Sequence, residues 1–200
     1  DLFVGNRVKI GNWPQSADNY ILINDGSGNF TNKIDLFAPE LKNIGMIKDA
    51  KAVDINNDKK MELAVVGEMM PIHIFELVNG KLNENSTKYL SQNLPGFYSK
   101  IAFADFNKDG KSDLIIGNLG SNSQLKATEK EPIEMVYGDF DKNGTTDPIM
   151  SCYFAGKSHP YITRDEFFMQ FAGLKPRYVT YESYANATAE TIFDKGELNN

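Results

Sequence analysis

Apolar and polar positions alternate along this chain in short bursts with the period of strands, not helices. Ala50–Val53, Ile101–Ala104 and Ile133–Tyr137 are brief β-branched or aromatic runs, and each leads into an acidic loop. After the loops come Leu63–Val66, Leu114–Ile116 and Ile149–Phe154, again short and bounded by Gly, Asn or Pro. Ile72–Leu77 predicts another strand, with Asn79-Gly80 as a tight hairpin turn after it. Tyr20–Ile23 predicts one more, followed by a plain turn over Asn24–Asn29; its glycines lack the Lys and Ser/Thr of a phosphate loop. Near residue 160 the period changes. Thr163-Arg-Asp-Glu166 has the form of a capping box, and Phe167, Phe168 and Phe171 then fall on one helical face, an aromatic stripe suited to packing on the sheets. Lys175-Pro176 stops that helix and can open another bearing Tyr178 and Tyr181, and Asn186 is the expected cap of a third segment ending near Phe193. His159-Pro160 reads as a turn.

The loops between the strands repeat. Asp105, Asn107, Asp109 and Asp113 stand at positions 1, 3, 5 and 9 of one nine-residue segment, and Asp139, Asp141, Asn143 and Asp147 at the same positions of a second. Asp54, Asn56, Asp58 and Glu62 form a looser third copy, with Lys59 where the others have Gly110 and Gly144. Asp1-Leu-Phe-Val-Gly-Asn6 repeats Asp113-Leu-Ile-Ile-Gly-Asn118, so Asp1 reads as position 9 of a fourth loop and the chain as a fragment. Starts at 54 and 105, extended back from Asp1, give spacings of about 51 and 61 residues, the size of a four-stranded propeller blade. The Asp139 loop follows after only 34 residues, with a long polar loop over Asn118–Glu131 between, and is expected to be a second hairpin of the same blade. The predicted fold is all-β: a partial β-propeller of two to three blades over residues 1–160, then a short helical tail over 161–200.

Oxygens at alternate positions of a curled loop suit a hard cation. Ca²⁺ takes six to eight oxygen ligands, and carboxylates or amides at positions 1, 3 and 5 turn inward while position 9 closes the shell. Three carboxylates so close repel one another unless a cation or water screens them. Mg²⁺ fits less well, since it retains several waters. An EF-hand is excluded, because Ile116 and Met150 occupy position 12 and the flanks are strands. The competing reading is that Asp, Asn and Gly merely form turns; it weighs most at the Asp54 loop because of Lys59.

With 21 basic and 27 acidic residues among 200, the chain carries a net charge of -6 and no basic stripe, which argues against nucleic acid as a partner. No apolar run approaches a membrane span. The single cysteine, Cys152, excludes an intrachain disulfide. No nucleophile motif is visible; Ser158-His159 lacks a recognisable elbow, and no catalytic residue is assigned.

The motif Asp-x-(Asp/Asn)-x-(Asp/Asn)-Gly-x-x-Asp followed by Leu-x-x-Gly resembles the FG-GAP/VCBS repeat of integrin α-like β-propellers. Gly117–Pro132 and the stretch from Asp139 to Phe193 are similar to bacterial surface VCBS-repeat proteins related to the ASPIC/UnbV group. The resemblance implies a seven-bladed parent, structural Ca²⁺ on the loop residues named above, and export to the periplasm or cell surface. It implies a non-enzymatic module for binding a protein or glycan, or alternatively part of a polysaccharide lyase or hydrolase. Open blade edges are expected to be covered by self-association or by the tail.

Overall fold

A computed structural model describes residues 1–120 and 122–193. The chain is all-β with a small helical C-terminal part, and it divides into two compact units: 1–9 with 15–119, and 10–14 with 120–200.

The first unit is a series of antiparallel meanders. β1 (Leu2–Val4), β2 (Tyr20–Asn24) and β3 (Phe30–Asn32) form a three-stranded sheet. β4 (Met46–Val53), β5 (Glu62–Met70), β6 (His73–Val78) and β7 (Lys81–Glu84) pair in sequence order as a four-stranded meander. β8 (Gly96–Ala104) and β9 (Asp113–Asn118) form the next hairpin, tied to the end of β5 through Glu68 and Met70.

Burial explains why β5 reads as an unbroken apolar run. Val65 joins Ile21, Ile34, Leu41, Ile47 and Phe75 in a cluster that reaches β2. Its neighbours Ala64 and Val66 join Ile74 and Ile101 in a second cluster that takes in Phe103, Leu114 and Ile116 from β8 and β9. Alternate residues of one strand thus serve two cores, so the β4–β7 sheet is packed on both faces. Asp49 of β4 also accepts the Ile101 N–H at 3.2 Å, which fixes β4 beside β8. Two short helices, α1 (Ile34–Phe37) and α2 (Ser86–Tyr89), sit in connections that the strand pattern did not reveal.

In the second unit β10 (Glu134–Gly138), β11 (Asp147–Phe154) and β12 (Lys157–Pro160) make a sheet of their own. The expectation that the Asp139 hairpin extends the Asp105 blade is therefore corrected: β9 pairs with β8, whereas β10 pairs with β11. His159-Pro160 is likewise strand rather than turn, with Cys152 opposite His159 and Ser151 opposite Pro160. The terminal Pro sits at the end of an edge strand, where a missing N–H is tolerated.

Helices follow, but Lys175-Pro176 falls within a 3₁₀ segment instead of ending the first of them, and Tyr178 lies outside any helix. α3 (Arg164–Gln170) opens on the Thr163/Glu166 capping box. A 3₁₀ segment over Ala172–Arg177 contains Pro176, and α4 (Tyr181–Ala185) and α5 (Ala189–Ile192) complete the described chain. Thr188 rather than Asn186 caps α5; Asn186 ends α4. Residues 194–200 of the expected tail lie outside the described residues. The aromatic stripe is core: Phe167, Phe168 and Phe171 are buried with Tyr178, Tyr184, Phe193 and Ile149 of β11. Phe140, from the acidic loop itself, stacks on Phe193 at a centroid distance of 3.9 Å.

Candidate metal centre

Each acidic segment closes a hairpin in the same register. The residue before position 1 pairs with position 9: Val53 with Glu62, Ala104 with Asp113, and Gly138 with Asp147. Eight residues are thereby folded back between paired strands, and their N–H groups need acceptors.

The side chains supply them in one shared arrangement. The position 1 carboxylate takes the N–H groups of positions 5 and 6 on its two oxygens: Asp105 from Asp109 and Gly110 at 3.1 and 2.9 Å, Asp139 from Asn143 and Gly144 at 2.9 and 3.0 Å. Asn107 and Asp141 at position 3 also accept from position 5, at 3.0 and 3.1 Å. Position 9 reaches back to the N–H of position 2, so Asp113 holds Phe106 and Asp147 holds Phe140, both at 2.9 Å.

The Asp54 copy keeps the arrangement despite its substitutions. Asp54 accepts from Asp58 and Lys59 at 3.1 and 2.9 Å, Asn56 from Asp58 at 2.9 Å, and the longer Glu62 still reaches the Ile55 N–H at 2.8 Å. Lys59 adopts a φ of 68°, the left-handed conformation that Gly110 (82°) and Gly144 (87°) adopt with less strain. A Cβ on either glycine would meet nothing within 4 Å, so a side chain here has room and only the backbone conformation resists it. The tips of the first two loops also touch, through the Asn57 amide donating to the Gly110 carbonyl at 2.7 Å.

The loops differ in how their carboxylates converge. Among the described residues, Asp139, Asp141 and Asp147 form the one group of three whose ligand oxygens all lie within 4.8 Å of one another. Asp139 and Asp141 are exposed, whereas Asp147 is 1% exposed. The Gln170 amide at the end of α3 donates to Asp147 Oδ1, while Oδ2 faces the Phe140 and Asp141 N–H groups. Asp113, at the same position of the other hairpin, is only partly buried. The expected set Asp105, Asn107, Asp109 and Asp113 is gathered on one turn, as is Asp54, Asn56, Asp58 and Glu62, but without that close convergence of three acids. Gln170 is the residue the motif could not reveal, because it comes from a helix 23 positions beyond its partner.

The donor set of the third loop fits a hard cation. A carboxylate has about four lone-pair sites, and Asp139 accepts one backbone N–H on each oxygen. Asp141 is similarly engaged, by the Asn143 N–H and the Asn143 side-chain amide at 2.8 Å. Capacity therefore remains on the carboxylates of the cluster.

Residues 54–116 match the family model of the FG-GAP-like repeat. That span begins at the first residue of the Asp54 loop, ends in β9, and includes the Asp105 loop entire. No curated protein and no solved structure matches the chain. Among the described residues no helix is long and apolar enough to cross a membrane.

Proposed function

We propose that this chain is a non-enzymatic binding module built from β-propeller blades, whose acidic hairpins take structural Ca²⁺. One observation carries the reading: three hairpins share register and side-chain-to-backbone bonding, and one of them draws three carboxylates within 4.8 Å. Asp139, Asp141, Asn143 and Asp147 would hold the ion, which would offset the repulsion among the acids and brace the β10–β11 turn. Asp105, Asn107, Asp109 and Asp113 form a second, weaker site, and Asp54, Asn56, Asp58 and Glu62 the weakest. β4–β7 is the blade unit, and β8–β9 begins the next. The module belongs to an exported or cell-surface protein and presents its surface to a protein or glycan.

A thermal melt tests this. With chelator present the melting temperature is expected to fall, and Ca²⁺ is expected to restore several degrees where Mg²⁺ restores little. Asp139→Ala is expected to remove most of the response. Equal melting with and without Ca²⁺ would reduce the loops to turns.

A second reading, part of a polysaccharide-active enzyme, is favoured by one feature: Glu134 and Glu190, both outside the loops, line a common cleft with Tyr153. Release of reducing or unsaturated sugar ends from polysaccharide, lost in Glu134→Gln, is its test.

A further inference from the structure

One face of the β10–β12 sheet changes character along its length. Val136 lies opposite Ile149, Glu134 opposite Ser151, and Tyr153 opposite Ser158, and strand alternation puts all six on one face. Toward the acidic loop that face is apolar, and Ile149 and Val136 pack into the aromatic core. Toward the Ala155-Gly156 turn it is polar, and there a cleft of about 780 Å³ opens beside the start of α5. Glu134, Ser151, Tyr153, Ser158 and Glu190 line it.

Its polar groups are arranged around the carboxylates. The Ser158 hydroxyl donates to Glu134 Oε2 and the Tyr153 hydroxyl to Oε1, the latter at 3.4 Å. The Thr188 hydroxyl donates to Glu190 at 3.4 Å. Ser151, directly across from Glu134, is 4% exposed, and its hydroxyl has no hydrogen-bond partner in the described structure. A buried hydroxyl left unpaired is costly, and one in the wall of a cleft can be satisfied by whatever fills it.

The charge of the cleft says what that is. The Tyr153 phenol is held above its ordinary range, first by the charge of Glu134, then by burial and its bond to Glu134, with Glu131 and Glu190 adding to the field. The hydroxyl donors of Ser158 and Tyr153 are already spent on Glu134, so the cleft offers chiefly acceptors. Ammonium and guanidinium groups carry donors and no acceptor, and the Tyr153 ring adds a face for a cation. Lys157 also borders the cleft but is exposed, and its partner across the ladder is Phe154, which alternation assigns to the other face.

We infer that this cleft binds a cationic group, an alkylammonium or guanidinium, through Glu134 and Glu190, with Ser151 as a further contact. The inference rests on the chain being a binding module, and it names the chemistry of what the module holds.

Calorimetric titration of the whole chain in Ca²⁺ tests it with three probes: agmatine, a capped Gly-Arg-Gly peptide, and maltose. Agmatine and the peptide are expected to bind saturably, and Glu134→Gln to weaken both at least tenfold. Ser151→Ala is expected to weaken them severalfold without lowering the melting temperature, since no protein partner is lost. Lys157→Glu, a surface change, is expected to tighten binding. Tighter binding of the peptide points to a protein's side chain, and tighter binding of agmatine to a small amine; either supports the inference. Binding of maltose alone, of no probe, or binding indifferent to Glu134→Gln in a folded variant overturns it. The Ca²⁺ melt is read separately, so a cleft that fails here leaves the metal reading standing, and the converse.

Discussion

The Asp105 and Asp139 hairpins share their length, their register and the same capture of N–H groups by positions 1, 3 and 9, yet their carboxylates end in different places. In the first, acids occupy positions 1, 5 and 9 and the ninth is partly exposed; in the second they occupy 1, 3 and 9 and the ninth is buried. Asp147 is held there by a helix, through Gln170, and the loop's own Phe140 is stacked into the aromatic core. Among the described residues only backbone N–H groups donate to Asp113, and Phe106, the counterpart of Phe140, is exposed. A shared motif thus specifies the turn, while the packing behind it decides whether three acids converge.

The largest expected effect comes from removing that support. Phe167 is fully buried against Phe168, Phe171, Tyr184 and Phe193. Phe167→Ala is expected to destabilise the second unit by about 3–5 kcal/mol and to loosen α3, which carries Gln170. Trp13 is the single tryptophan and belongs to the second unit, so its fluorescence melt reports that unit. An early fall in Trp13 fluorescence with the bulk of the β circular dichroism retained is the expected result. A coincident loss of both signals would mean that the two hairpins cannot be treated as independent.

Next comes the ion itself. Ca²⁺ at a hundred times its dissociation constant stabilises by about 2.7 kcal/mol. Asp147→Asn is expected to remove most of that gain and Asp113→Asn little of it. Equal effects of the two variants would show that burial of the ninth acid is irrelevant and that the motif alone sets affinity.

The order of amide and acid can be separated from burial. Asp141→Asn combined with Asn143→Asp gives the second hairpin the side-chain order of the first while Asp147 stays buried. Ca²⁺ affinity is expected to drop about tenfold, or about 1.4 kcal/mol, by titration. A drop as large as that of Asp147→Asn would assign the whole difference between the hairpins to side-chain order.

These contrasts show what the chain's pattern can disclose. Strands flanking the loops, the capping box at Thr163 and the aromatic stripe are local, and period and turn chemistry expose them. The continuous run Leu63–Val66 marks a strand buried on both sides, but which cores it serves is a matter of its neighbours. The short spacing and the polar loop over Asn118–Glu131 point to one blade for the Asp105 and Asp139 hairpins, yet they pair in separate sheets; spacing constrains chain length, not which strand supplies the partner. Gln170 and the Glu134–Ser151 pairing are invisible for the same reason, since each joins residues 17 or more apart through tertiary packing.

The smallest expected effect lies in the copy that fits the motif least. Lys59 in place of Gly weakens the case for the Asp54 loop on sequence grounds, yet the loop makes the same bonds with Lys59 at a φ of 68°. A left-handed conformation costs a non-glycine residue about 1–2 kcal/mol, and glycine in turn costs about 0.5–1 kcal/mol through the entropy of the unfolded chain. Lys59→Gly is therefore expected to stabilise by about 0.5 kcal/mol, with the Lys59 charge removed as a further aid to any cation. Urea denaturation measures the first effect, and the same experiment with Ca²⁺ the second. A clear loss of stability would mean that the Lys59 side chain itself contributes to the fold, and that the three hairpins are less alike than their hydrogen bonds make them.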